Sequence, residues 1–154
     1  MQKNRGFTLI EILVVIGILA TLLSIVLVAI NPARQFSQAN NTQRRSDVNA
    51  LLNAIHQYAA DHSGTPPGGI TNSALTIANS GAGTVNLCAA LVPDYIADIP
   101  LDPTDGTESP ADSICTDGSA TYNSGYTVLK SATNNRITVA APQAELTETI
   151  TVTR

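Results

Sequence analysis

Few residues in this chain have the type and spacing to do chemistry. Glu11 stands out first, because from Phe7 to Ile30 it is the one charged residue in an apolar run. A carboxylate at the centre of a membrane span costs on the order of 2.5–3.5 kcal/mol, and less toward the end of the span, where Glu11 lies. Either it is tolerated in the headgroup zone, or it is an acid that awaits a cation inside the membrane. Cys88 and Cys115 form an even pair in the second half of the chain. In an oxidising compartment they read as a disulfide, worth very roughly 3–4 kcal/mol on the chain-entropy model. In a reducing compartment they read as free thiols. Asp102, Asp105, Glu108, Asp112 and Asp117 crowd one short stretch. Hard oxygen ligands of this kind suit calcium, but the spacing is not that of an EF-hand, and a solvated acidic turn accounts for the same residues. His56 and His62 fall on different helix faces, and no further His or Cys is spaced to complete a metal site. There is no nucleophile–base spacing, no phosphate loop after a strand and no acid pair in an apolar setting. The chain is therefore expected not to be an enzyme and, calcium apart, to need no cofactor.

The elements that must carry these residues begin with the apolar run. From Ile12 to Ile30, at about 1.5 Å per residue, it crosses most of a bilayer core of roughly 30 Å. Lys3 and Arg5 precede it without an acid, which holds that end in the cytoplasm and sends the remainder across. Leu27 to Asn31 offers no small-x-small cleavage site, so the span is expected to stay attached. Gly17, Ala20 and Ser24 recur at helical spacing, either as a close helix–helix contact in lipid or as scattered small residues. Pro32, preceded by Asn31, predicts a kink or short break in one long helix running from Phe7 to about His62. Arg34, Arg44 and Arg45 follow on a polar stretch whose default reading is a solvated face, with lipid phosphates or acidic neighbours as the alternative. Val48, Leu51, Leu52, Ile55 and Ala59 repeat as one apolar stripe. Ser63 to Gly69 stops the helix.

Gly68 to Val85 is weakly periodic and reads as loop, with a short helix around Asn72 to Ala78. Leu87 to Tyr95 reads as another short helix. Tyr126 to Leu129 and Arg136 to Ala140 flank Thr133-Asn134-Asn135, a hairpin signal, and Thr149 to Thr153 alternates as a third strand. Val128, Ile137, Val139, Ile150 and Val152 share a face that can cover the helical stripe. The expected fold is α+β, a long N-terminal helix, half of it transmembrane, packed on a small antiparallel sheet. The 154 residues suffice for one small domain and an anchor. The formal net charge of −4 becomes −6 if Lys3 and Arg5 are lost, and no basic patch argues for nucleic acid.

The stretch Gly6-Phe7-Thr8-Leu9-Ile10-Glu11, with a basic leader before it and a span after it, resembles the class III signal peptide of type IV prepilins and type II secretion pseudopilins. The resemblance implies that a membrane peptidase cuts between Gly6 and Phe7 and N-methylates Phe7. Cleavage would free an α-amine of unperturbed pKa about 8. At 4 Å and an effective dielectric near 20, its attraction to Glu11 is roughly 4 kcal/mol before desolvation. The resemblance implies that the amine belongs to a neighbouring subunit, which makes Glu11 an assembly residue, and that the stem bends near Pro32. The segment from Leu91 to Asp102-Pro103 is similar, more loosely, to the one leading into the sheet in that family. Family members bind calcium near here, which keeps Asp102, Asp105, Asp112 and Asp117 as candidates beside the solvated-turn reading.

The resulting organisation is a leader over 1–6, a transmembrane and polymerisation helix over 7–30, its amphipathic continuation over 31–62, and an exported domain of loops and roughly three strands over 63–154. The expected function is a structural subunit of a type IV pilus-like filament, favoured narrowly over a secretion pseudopilin. A monomeric membrane-anchored binding module is the rival from another class. The implied partners are further copies of the chain, a prepilin peptidase and methyltransferase, an inner-membrane assembly platform with its ATPase, and membrane lipid. The expected location is the cytoplasmic membrane, with the N-terminus inside, followed by a periplasmic or extracellular filament.

Overall fold

The computed structural model describes residues 6–110, 114–115 and 121–154. Helix α1 spans Leu9–Ile30 and helix α2 spans Pro32–Asp61. The one residue between them, Asn31, takes a left-handed φ of 46° and ends α1. Its side-chain oxygen also accepts from the Arg34 N–H at 3.4 Å, so it caps the start of α2 as well. Pro32 occupies the first helical position of α2, where its missing N–H costs nothing. The long helix is thus interrupted for a single residue, where the sequence places a kink or break.

The chain divides into two compact units, the first ending at Phe36 and the second running Ser37–Arg154. In the first unit every residue of α1 is exposed, although α1 is apolar and long enough to cross a membrane. In the second unit α2 lays its apolar stripe on a six-stranded sheet. Val48, Leu51, Leu52 and Ile55 are fully buried, at about 1.5–3 kcal/mol of transfer free energy each. The strands are β1 Leu75–Ala78, β2 Thr84–Val85, β3 Thr107–Ser109, β4 Thr121–Lys130, β5 Ile137–Ala141 and β6 Ile150–Thr153, with a four-residue helix α3 at Cys88–Leu91. The sheet order is β2-β1-β4-β5-β6, with β3 also paired to β4. Register sets one row across it: Leu75 opposite Val128, Val128 opposite Val139, and Val139 opposite Val152. Because side chains alternate with period two, this row falls on one face, where Val128 and Val139 are fully buried.

The β4–β5 hairpin and β6 lie where alternation predicts them. Three expectations change, the first being the strand count, six where roughly three are expected, because short strands add to the edges of the longer ones. Leu75–Ala78 is a strand and not a helix: Thr76 and Ile77 are β-branched, and both edges of β1 are taken, by β2 and β4. The sheet is also mixed and not purely antiparallel, because Thr76 and Ile77 pair in parallel with Thr84 and Val85. Gly81 and Gly83, at φ 106° and 73°, turn the chain back within the short link between those strands. Leu52→Ala is expected to cost about 2–5 kcal/mol in urea unfolding of the domain. Leu22→Ala, on the 54% exposed Leu22 of α1, should leave that transition unmoved.

Candidate functional site

Two arrangements concentrate the polar chemistry of the chain. The first lies at the start of α1. Thr8 is the N-cap and Glu11 the third helical residue, and together they form a reciprocal capping box. Glu11 Oε2 accepts from the Thr8 N–H at 2.7 Å and from the Thr8 hydroxyl at 2.7 Å, while Thr8 Oγ1 accepts from the Glu11 N–H at 3.3 Å. The second carboxylate oxygen takes no bond among the described residues. Gly6 and Phe7 precede the cap and are exposed, Phe7 at 84%. The Thr-x-x-Glu spacing of a capping box stands in the sequence, a local role for Glu11 beside those of a tolerated headgroup acid or an assembly residue.

The second arrangement is buried in the other unit. The sequence reads Arg44 by default as part of a solvated face. It is instead fully buried, because its acceptors arrive from distant loops. Nε donates to Asp102 Oδ2 at 2.7 Å, and Nη2 to Asp102 Oδ1 at 3.0 Å and to Thr104 Oγ1 at 2.6 Å. Nη1 donates to Asn41 Oδ1 and to Glu145 Oε1, both at 3.1 Å. All five guanidinium donors are therefore used, the condition for burying a charge without a large unpaired penalty. Asn41, also buried, completes its own set by donating to the Glu145 carbonyl and to Glu148 and by accepting from the Glu145 N–H. Two glycines make the room. A Cβ on Gly106 would come within 2.7 Å of the Asp102 backbone, and one on Gly125, at φ 77°, within 2.7 Å of the Asp102 Cβ.

Asp102 is one of the calcium candidates, and the structure corrects its solvated-turn alternative. Both of its oxygens face Arg44, and Oδ1 also accepts from the N–H groups of Thr104 and Asp105. Burial pushes the carboxyl up, but the hydrogen bonds from Arg44, Thr104 and Asp105 outweigh it and leave Asp102 at about 2. Hydrogen bonds to Asp102 likewise raise the Arg44 pKa against its desolvation. Asp105 is exposed, and Asp112 and Asp117 lie outside the described residues. Among the described residues no group of three metal-ligating side chains converges. A second polar tie runs beside the first: the Tyr126 hydroxyl donates to Asp47 Oδ2 at 2.7 Å. Burial raises the Asp47 carboxyl although that bond lowers it. Cys88 and Cys115 are joined, with Cα atoms 5.2 Å apart. Arg45 pairs with Glu148 at 2.6 Å on the surface. His62 stacks on Tyr58 at 3.9 Å.

Comparison with known proteins matches the N-terminal part of the chain. The family model described as the prokaryotic N-terminal methylation motif matches residues 1–27. Residues 1–27 carry a prepilin-type methylation motif. The chain is also 44% identical over 66 residues, 43% of its length, to the type II secretion system core protein G of Klebsiella pneumoniae. That match covers 46% of the relative, so the chain spans about half the length of the curated protein it matches. No solved structure matches the chain. The similarity to prepilins and pseudopilins therefore rests on the methylation motif and one secretion-system relative, together with the α+β arrangement of long apolar helix and small sheet.

The two adjacent arginines separate burial from exposure. Arg44→Met should destabilise the domain by about 3–5 kcal/mol, because it leaves a buried carboxylate short of its cation. Arg45→Met, at a surface pair, should cost less than about 1 kcal/mol in the same urea titration. Acid provides an independent check. The folded-state pKa of Asp102 lies below its ordinary 3.8, so its contribution is present above about pH 4 and is lost as pH falls through about 2. It amounts to at most about 2 kcal/mol. The slope of unfolding free energy between those pH values should flatten in Asp102→Asn; an unchanged slope would show that another acid carries it.

Proposed function

We propose that this chain is a structural filament subunit, a prepilin cut between Gly6 and Phe7, methylated on Phe7 and polymerised through α1. The observation that carries the reading is α1 itself. It presents a fully exposed apolar surface from Leu9 to Ile30, broken by one carboxylate at its start, and most of it lies within the matched methylation motif. Such a surface has two stable environments, lipid and the equivalent helices of other copies. Lipid serves for storage in the cytoplasmic membrane, with the N-terminus inside and the α+β unit exported. Other copies serve in the filament, where the Phe7 amine freed by cleavage supplies the cation that Glu11 lacks. The partners this requires are a prepilin peptidase and methyltransferase, an assembly platform with its ATPase, and further subunits. No catalytic role is assigned to the chain.

Within the class, a surface pilus and a secretion pseudopilus differ in where the polymer ends. The Klebsiella relative is a secretion-system protein, and that favours the pseudopilus as the second reading. Intact-mass spectrometry tests both. The expected species lacks residues 1–6 and carries one added methyl group. Its recovery in sheared surface material supports a pilus, and its confinement to the envelope supports a pseudopilus. Glu11→Leu should insert in the membrane yet form no filaments. A full-length, unmethylated chain, or normal filaments from Glu11→Leu, would leave a membrane-anchored monomer as the better description.

A further inference from the structure

We infer that the start of α2 is a lipid-headgroup site. Arg34 binds the phosphate of a phospholipid in the leaflet on the exported side, and Phe36 packs at the boundary between headgroups and acyl chains. The inference rests on the membrane stage of the reading above and not on the filament. Three arginines follow the span, at positions 34, 44 and 45. The structure supplies acids to two of them, Asp102 and Glu145 to Arg44 and Glu148 to Arg45. The Arg34 guanidinium meets neither an acid nor another acceptor among the described residues; its backbone N–H is the group that bonds Asn31. Within its own compact unit, Met1–Phe36, the described acid is Glu11, in the first turn of α1 and so at the opposite end of that helix.

Depth selects the counter-ion. The 22 residues of α1 rise about 33 Å, close to a hydrocarbon core of roughly 30 Å. Its hydroxyls are satisfied inside the helix: Thr21 donates to the Ile18 carbonyl at 2.8 Å and Ser24 to the Ala20 carbonyl at 2.9 Å. After Glu11 the next charged residue in the chain is Arg34, four positions beyond Ile30. At about 1.5 Å per residue that is about 6 Å past the end of α1, within a headgroup layer about 5–8 Å deep. Helix side chains lean toward the N-terminus, which here is the membrane side. An arginine stem can lie along apolar surface while its head stays in polar surroundings. The guanidinium thus arrives unpaired at phosphate depth, with a planar fork that matches phosphate oxygens.

Phe36 carries the second part of the argument. It is 71% exposed, and its ring leans back toward the same layer. An apolar ring on a helix is well placed at the boundary between headgroups and acyl chains. Arg34 and Phe36 stand two positions apart, so they point to nearly opposite sides of the helix. A helix that crosses the headgroup layer meets lipid on every side and uses both. An acidic patch on a protein would meet Arg34 and leave Phe36 in water.

The full-length chain, in vesicles of phosphatidylglycerol and phosphatidylcholine and in phosphate-free buffer, tests both residues. Carbon–phosphorus dephasing in solid-state NMR reads the arginine Cζ atoms that lie close to lipid phosphorus. The difference between wild type and Arg34→Gln isolates Arg34, whose signal should lose most of its intensity on dephasing. The chain has no tryptophan, so Phe36→Trp provides a single fluorescent reporter. Lipids brominated near the headgroup end of the acyl chain should quench it severalfold more than lipids brominated at the chain terminus. A chain whose α1 fails to insert would overturn the membrane stage, and this proposal with it. An inserted chain whose Arg34 signal keeps its intensity, or whose reporter is unquenched, would overturn this proposal alone. Equal dephasing by inorganic phosphate beside vesicles of phosphorus-free glycolipid would mark a free-anion site and overturn the lipid assignment.

Discussion

A guanidinium removed from water must find five acceptors within the protein, and Arg44 draws the second unit, Ser37–Arg154, together to obtain them. Asp102 and Thr104 come from the loop ahead of β3, and Glu145 from the loop between β5 and β6. Gly106 and Gly125 clear the space that lets the Asp102 loop close against β4, where the Asp102 N–H donates to the Ser124 carbonyl at 2.8 Å. The apolar stripe of α2 would tolerate sliding along the sheet, since one aliphatic side chain resembles the next. The Arg44 fork would not, because a shift of one residue leaves donors and acceptors unpaired in a dry site. A buried ion pair adds little net stability over a well-packed apolar pair. Its contribution here is register, fixing which turn of α2 meets which loop.

What the sequence made legible follows from how far each signal reaches. The stripe from Val48 to Ile55 and the alternation in β5 and β6 are periodic over several residues, so their faces could be assigned without knowing what covers them. The methylation motif is local and complete within a few residues. β1, β2 and β3 were not legible. They run two to four residues each, too short for alternation to show; β1 and β3 exist because the longer β4 offers them a partner, and β2 because β1 does. Arg44 was not legible either, because its burial depends on residues 58 and 101 positions away. Adjacent arginines in a polar stretch look alike until those loops close over one of them. The turn at Leu146 and Thr147, both at φ 57°, runs against its residue types, and such a turn is set by its surroundings and not by its own preferences. The Thr8–Glu11 capping box is a local signal, four residues long, and stands in the sequence as Thr-x-x-Glu.

The two units treat apolar surface in opposite ways, and that difference bears on how one chain can serve in two environments. The second unit buries its aliphatic residues between α2 and the sheet, and beyond Ile30 the described residues leave only Phe36 and Leu146 as large apolar side chains exposed. The first unit buries none of α1. In the proposed membrane-held monomer Glu11 must be acceptable in lipid, and the capping box gives one of its carboxylate oxygens two donors from Thr8. The same geometry leaves the other oxygen open at the helix N-terminus, the end at which cleavage before Phe7 would create a cation. Self-capping and openness are thus properties of one carboxylate. On the proposed filament reading it would be satisfied enough to be held in lipid and incomplete enough to favour an arrangement in which a neighbouring amine reaches it. A helix that fully satisfied its acid would have no polar reason to prefer another copy over lipid. One that left it bare would be costly to store, which is why Thr8 and Glu11 are best regarded as a pair in the proposed passage from membrane to filament.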